Sequence, residues 1–247
     1  MIGAIVFARM ASTRLPSKVM INVQDKPILQ QIIERVRRSE YIQKVVIATS
    51  SNPSDDQIVE LSRSIGADVF RGSENDVLDR CFQAAKQFSI DPIVRITADD
   101  PFKDPDIIDQ VIKAFVEARG RYDLVCNTLR PTFPEGLDVE VMSFHALREA
   151  WSNSTDPSER EHITQHMFKN PEKFQILNIE NSENISNIRL TLDTPEDLKF
   201  VKIIYDALYP AKMDFTWKDV ISYLRSRPEL LEINKNVKKS GRYQGAK

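Results

Sequence analysis

The chain has 247 residues, of which 41% are hydrophobic and 28% charged, with a formal net charge of −2. That composition fits a globular protein with a substantial core and carries no electrostatic footprint of nonspecific nucleic-acid binding. No apolar run approaches the roughly 20 residues that a membrane span needs, the first residues lack a basic leader region, and Cys81 and Cys126 form neither a disulfide framework nor a metal motif. The expected setting is the cytoplasm, with no membrane and no nucleic acid as partner, and both cysteines are expected as small buried hydrophobes.

Ile2 to Phe7 is a short continuous apolar run, which reads as a buried strand. It runs directly into Arg9-Met10-Ala11-Ser12-Thr13-Arg14-Leu15-Pro16-Ser17-Lys18, which holds three cations, several hydroxyls and no acid. A loop leaving the carboxyl end of a buried strand sits where open α/β sheets bind ligands. Arginine forks, a lysine point charge, hydroxyls and backbone N–H groups are the donors that phosphate oxygens accept from. The spacing R-x(4)-R-x(3)-K therefore reads as a polyphosphate cradle. It is not a Walker loop, and no glycine lies between Gly3 and Gly66, so the dinucleotide fingerprint is absent as well.

Pro27 opens a helix to about Arg38, with Ile28, Leu29, Ile32, Ile33 and Val36 at helical spacing. Lys44 to Thr49 is a second strand. The turn Ser50 to Asp56 feeds a helix bearing Ile58, Leu61 and Ile65, with Gly66 as its stop. Ala67 to Phe70 is a third strand. A helix then starts at Ser73, with Ser73 as cap and Asp76 completing an imperfect capping box, and Asp79 and Arg80 read as a surface charge pair. Pro92 to Thr97 is a fourth strand that delivers Ala98-Asp99-Asp100-Pro101. Adjacent carboxylates at a strand end form a hard oxygen site for Mg2+, or, taken alone, a loop cap. Asp104 and Pro105 begin the next helix. This alternation predicts an α/β fold with a mainly parallel, doubly wound sheet.

After Gly120 the pattern changes. Leu124 to Asn127 is a strand, and Thr128 to Gly136 is a proline-punctuated loop of the kind that lines binding sites. Leu137 to Val141 alternates apolar and acidic residues, with Asp138 and Glu140 on one side, either facing a bound ligand or facing solvent. Ser143 starts a helix. Ser158 to Thr164 is dense in titratable groups, and His162 is either a proton shuttle or part of a salt-bridged helix face. Phe174 to Ile179 and Ile188 to Leu192 read as late strands. The last delivers Asp193-Thr194-Pro195-Glu196-Asp197, a helix start with Asp193 as N-cap and Pro195 just inside. Residues 1–234 are expected as one domain, with 130–170 as an acceptor or dimer subregion and 235–247 as a flexible basic tail.

Several of these segments together resemble one family. ARMASTRLPSKVM at 8–20 is similar to the ARMxSTRLPGKV signature of cytidylyltransferases, which include CMP-ketodeoxyoctonate and CMP-sialate synthetases. The nearest group is the spore coat polysaccharide biosynthesis protein F family, which usually has glycine at the positions of Ala11 and Ser17. FRGSENDVLDR at 70–80, NTLRPTFPEGLDVEV at 127–141, REH at 160–162 and DTPEDL at 193–198 also look like elements of that family. The resemblance implies a nucleotide-diphospho-sugar transferase-like (GT-A-like Rossmann) fold, and CMP transfer from CTP to a sugar acid or similar polyhydroxylated acceptor with release of pyrophosphate. The setting it implies is cell-surface or spore-coat glycan biosynthesis, and the protein would be a homodimer. It further implies nucleotide contacts at Arg9, Met10, Ala11, Ser12, Thr13, Arg14, Lys18, Arg71, Ser73, Thr97 and Ala98. Arg14, Lys18, Asp99 and Asp193 would be catalytic, with Asp99 and Asp193 as the ligands of Mg2+. Acceptor contacts would come from Thr132, Glu135, Asp138, Glu140, Arg160, Glu161 and His162. The alternatives are a metal-dependent glycosyltransferase that uses a nucleotide-sugar, a nucleotidyltransferase of another base specificity, or a non-catalytic nucleotide-binding protein, which the missing loop glycines suggest.

Overall fold

The computed structural model describes residues 1–238. In chain order its strands and helices begin with β1 (Gly3–Phe7), β2 (Asn22–Val23), β3 (Lys26–Pro27), α1 (Ile28–Val36), β4 (Lys44–Ser50) and α2 (Asp56–Ser64). They continue with β5 (Asp68–Gly72), α3 (Val77–Gln87), β6 (Ile93–Thr97), α4 (Pro105–Glu117), β7 (Leu124–Cys126) and β8 (Glu140–Met142). The remainder are α5 (Phe144–Asn153), α6 (Pro157–Glu161), α7 (Gln165–Lys169), β9 (Ile176–Asn178), α8 (Pro195–Leu208) and α9 (Trp217–Ser226).

Among the described residues the main sheet has seven strands in the order β5-β4-β1-β6-β8-β7-β9. β5, β4, β1 and β6 run parallel to one another, and β9 runs parallel to β7. Only β8 runs against its partners, pairing antiparallel with β6 and β7. The apolar runs of β1 and β4 are buried on both faces, as parallel strands under helices require. Successive side chains of β1 enter opposite layers. Ala4 and Val6 join a core with α1, α4, α8 and α9, whereas Ile5 joins one with α3 and α5. The sheet is thus mainly parallel and doubly wound, as the sequence predicts. Both cysteines are buried. None of the described helices is long and apolar enough to cross a membrane.

The chain passes from β1 outward through β4 to β5, then crosses back to β6 on the other side of β1. The strand order therefore reverses between β1 and β6, and the crevice beyond their carboxyl ends is where such sheets take ligands.

Several local expectations are corrected. The β2–β3 hairpin carries no local sequence signal, because its turn uses Gln24 and Asp25 at φ 52° and 60° in place of an asparagine–glycine pair. Asp76, not Ser73, caps α3, since its side chain accepts from Asp79 N. Thr194, not Asp193, caps α8, closing a reciprocal capping box with Asp197. Ile188 to Leu192 forms no ladder and makes one isolated bridge, Glu135 to Arg189. Gly136 permits that bridge: its φ is +101°, and a Cβ there would stand 2.9 Å from the Leu190 carbonyl carbon. Of the expected tail, residues 235–238 are described, with Val237 N donating to Asn234 O at 3.1 Å. Residues 239–247 of that tail lie outside the described residues.

Candidate active site

The loop after β1 is anchored before it can bind anything. Met10 N donates to Asp55 Oδ1 at 2.8 Å, and Ser17 N closes the loop onto Met10 O at 3.2 Å. Asp55 is buried at the end of the turn after β4, where Thr49 Oγ1 and the backbone and hydroxyl of Ser50 also donate to it. Burial alone would raise its pKa, but these hydrogen bonds outweigh it and hold the carboxyl below its ordinary value. Ser17 stands at φ 55°, the left-handed region, where the resembled family usually has glycine. Ala11, the other such position, is not among the residues with positive φ. From Ser17 the chain enters a single 3-10 turn, Lys18–Met20, whose buried Val19 fixes the base of Lys18.

Opposite the loop, two distant carboxylates are drawn together by backbone. Leu192 N and Thr191 Oγ1 donate to Asp99 O at 2.7 and 3.0 Å, which ties the segment before α8 to the end of β6. Lys18 Nζ then donates to Asp99 Oδ2 at 3.0 Å and to Asp193 Oδ1 at 2.7 Å. Arg14 reaches Asp193 Oδ2 at 3.1 Å. From below, Arg189 braces Asp193 at 2.8 Å, Glu135 at 2.6 Å and the fully buried Asp197 at 2.9 Å. Burial pulls the Lys18 ammonium down, but the two carboxylates overcome it, so its pKa lies above 10.5. Burial likewise raises Asp193, and Lys18 and Arg189 more than reverse this, so its pKa is lowered. Two carboxylates that converge on one ammonium are hard donors around one cation position. That donor set suits Mg2+ when phosphate oxygens and water supply the other positions. No cluster of three or more such ligands occurs among the described residues.

Between these walls lies a cavity of about 280 Å³. Arg9, Ala11, Ser12, Thr13, Arg14 and Lys18 line it from the loop, and Thr97, Ala98, Asp99 and Asp193 line it from the strand ends. Val77 and Arg80 of α3, Arg95 of β6, and Glu161 and His162 at the end of α6 make its floor.

The family model of the cytidylyltransferases matches residues 3–225. The chain belongs to that family. The spore coat polysaccharide biosynthesis protein SpsF of Bacillus subtilis (strain 168) is 32% identical over 232 residues, 91% of this chain and 94% of that protein. A cytidylyltransferase from Leptospira borgpetersenii serovar Hardjo-bovis superposes with a TM-score of 0.90 at 34% identity, covering 97% of this chain and 98% of that one. The 3-deoxy-manno-octulosonate cytidylyltransferase of Pelobacter propionicus is 34% identical over 119 residues, 47% of this chain and 45% of that protein. This cytidylyltransferase is accordingly a nucleotidyltransferase enzyme, and its sheet and flanking helices are those of the family's fold.

Several residues that the resemblance points to lie elsewhere. Arg71 clamps the turn after β4, donating to Ser50 O, Asn52 O and Asp56 Oδ1, and is not among the cavity's lining residues. Ser73 Oγ accepts from Asp76 N, one residue before α3. The Met10 side chain packs on the core. Arg160 grips Asp76 with Nε at 2.9 Å and Nη2 at 2.5 Å, fastening α6 to the start of α3. Thr132 Oγ1 accepts from Asn181 N, and Glu135 is held by Arg189. Asp138 offers its carbonyl to Lys103. Glu140 is buried behind Arg95, which donates to it at 2.7 Å, while Thr128 and Thr164 occupy its other oxygen positions. Asp100 turns inward from its neighbour Asp99, accepting from Thr97 Oγ1 at 2.7 Å and from the fully buried Lys103 at 2.8 Å, and burial pushes its pKa up to about 6.

Asp79 and Arg80 are not a surface pair. Asp79 accepts from Trp151 Nε1 and Gln83 Nε2, and Arg80 is 2% exposed in the cavity floor. Asp55, Arg80, Arg95, Arg189 and Asp197 are the structural or lining residues that the sequence reading missed. A signal existed for two of them: Arg95 and Arg189 are cations set inside short apolar runs, where a lone charge must have a partner or a task.

Proposed function

We propose that this cytidylyltransferase transfers CMP from CTP to a hydroxyl of a sugar acid, releasing pyrophosphate and yielding an activated sugar for glycan assembly. The single observation that carries the reading is Lys18, at the end of the cationic loop, bridging Asp99 and Asp193 beside the cavity at the carboxyl ends of β1 and β6. That arrangement supports the reading, because it gathers cations and acids from distant segments within the span of one nucleoside triphosphate.

In this reading Asp99 and Asp193 would hold Mg2+. When bound, the ion supplies charge neutralisation at the reacting phosphate and acidifies the attacking hydroxyl. Lys18 and Arg14, which rest on the carboxylates, exchange those partners for the β- and γ-phosphate oxygens of CTP, joined by Arg9 and the Ser12 hydroxyl. The acceptor oxygen bonds to the α-phosphorus as the bond from that phosphorus to the bridging oxygen breaks. The pyrophosphate leaves along the loop, where the three cations balance its growing charge, and the hydroxyl proton passes to solvent. Positioning and electrostatic stabilisation supply most of the acceleration in such transfers.

Pyrophosphate release tests the proposal. CTP, UTP, GTP and ATP are each supplied with Mg2+ against a panel of sugar acids and their neutral counterparts. Release that requires CTP and a sugar acid is expected. A preference for another nucleotide, or release with neutral sugars alone, overturns it.

A further inference from the structure

We propose that Arg80 and Arg95 form a seat for an oxyanion of the acceptor, so that the cavity selects its carboxylate. The proposal rests on the CMP-transfer reading above and assigns a task to two residues which that reading leaves idle.

Arg80 lies on the first turn of α3, over the Phe7 ring with 5.9 Å to its centroid. Its one hydrogen bond runs from Nη1 to Ser73 O at 3.0 Å, and among the described residues no carboxylate pairs with it. Its Nε is buried without a hydrogen-bond partner. Burial, and the like charge of Arg9 nearby, hold its pKa below the ordinary value. Arg95, on β6, is differently placed. Glu140 fixes one end of its guanidinium at 2.7 Å, and Glu140 is itself held by Thr128 and Thr164. The Nε of Arg95 is also buried and without a partner.

Both arginines line the same cavity, and the Cys81 thiol, directly after Arg80 in the chain, feels the charge of both. Asp55 and Glu74 act on Arg80 without pairing directly with it, and a buried guanidinium with no carboxylate in contact and an unmet donor is unfavourable unless a ligand completes it. Cytosine is neutral and leaves the charge uncompensated. The triphosphate has its own cations on the loop and lies between them and the two aspartates. The floor, shared by Arg80 and Arg95 with Val77, Glu161 and His162, is the part of the cavity that remains for the acceptor. A planar carboxylate matches the guanidinium fork.

The two Nε–Hε groups report on the seat directly in 15N-labelled protein. Their signals are assigned by loss in Arg80→Gln and Arg95→Gln, and the wild type is titrated with pyruvate, 3-deoxy-manno-octulosonate, mannose, cytidine and pyrophosphate. Both acids are expected to shift the two signals, and mannose, cytidine and pyrophosphate to leave them in place. Arg95→Gln is expected to weaken binding of the acids about tenfold, and CTP binding by less than about twofold, from loss of one charge-assisted contact. Shifts caused by cytidine or pyrophosphate in place of the acids would assign the arginines to the nucleotide and overturn the proposal, as would signals that move with none of the probes. Should Arg80→Gln fail to fold, the wild-type titration and Arg95→Gln still decide. An acid that binds the seat but draws no pyrophosphate from CTP refutes the proposed reaction and leaves the seat standing.

Discussion

Lys18 is shared between Asp99 and Asp193, residues far apart in the chain, at 3.0 and 2.7 Å. Its ammonium is therefore already surrounded by negative charge and within reach of the loop. Lys18→Ala is expected to reduce pyrophosphate release by about 10²- to 10³-fold, the effect of losing one preorganised charge-stabilising donor, with an unchanged circular dichroism spectrum. Turnover at the wild-type rate would remove Lys18 from the chemistry. The two loop positions where relatives usually carry glycine separate on backbone grounds. Ser17 at φ 55° is strained as a non-glycine residue, so Ser17→Gly is expected to stabilise by up to about 1 kcal/mol. Ala11 is not in that region, so Ala11→Gly is expected to cost about 0.5–1 kcal/mol. Urea denaturation of the two variants checks the opposite signs. Ala11 and Ser17 were legible as departures from a pattern, but only φ tells which of them matters.

At the scale of elements, the start of α8 shows how one stretch divides its labour. The sequence D-T-P-E-D reads as a helix start with Asp193 at the cap. The fold moves the cap one residue on, to Thr194, whose hydroxyl accepts from Asp197 N while the Asp197 carboxylate accepts from the Asp193 and Thr194 backbone. Asp193 is thereby free to turn its carboxylate toward Lys18. Thr194→Ala is expected to lower stability by about 1 kcal/mol, measured by thermal unfolding. Asp193→Asn keeps that cap. Its expected effect is a rise of about tenfold or more in the Mg2+ concentration needed for half-maximal turnover. An unchanged requirement would exclude Asp193 as a ligand. The strand alternation and most helix faces were legible because burial imposes a period on the sequence. The β2–β3 hairpin and the single bridge at Arg189 were not, because each depends on backbone torsions or partners that no local pattern encodes.

Across the whole molecule, the charge network sets how stability follows pH. Asp55 and Asp193 have folded pKa values below their ordinary ones, so their contribution is full above the unfolded value near 3.8 and is lost as pH falls through the folded values. Lys18 has a raised pKa, so its contribution is full below 10.5 and is lost as pH rises through the folded value. Taken alone, these three groups predict a plateau from about pH 5 to about pH 10, with losses beyond both ends, in urea midpoints measured across pH. In Asp55→Asn the acid-side loss should be smaller. An equal loss in that variant would mean that Asp55 is not among the groups responsible.

The sequence by itself determined the alternation of strands and helices, the cationic loop and its family, because apolar periodicity and short contiguous motifs are local properties of the chain. Only the tertiary structure decided which charges meet. Arg71 and Arg160 went to clamps, Glu140 to a brace, Asp100 to an internal pair with Lys103, and Arg80 and Arg95 to the cavity floor. The physical reason is that a side chain's task depends on its burial and on partners brought in by the sheet from distant segments, and neither is written in the residues beside it.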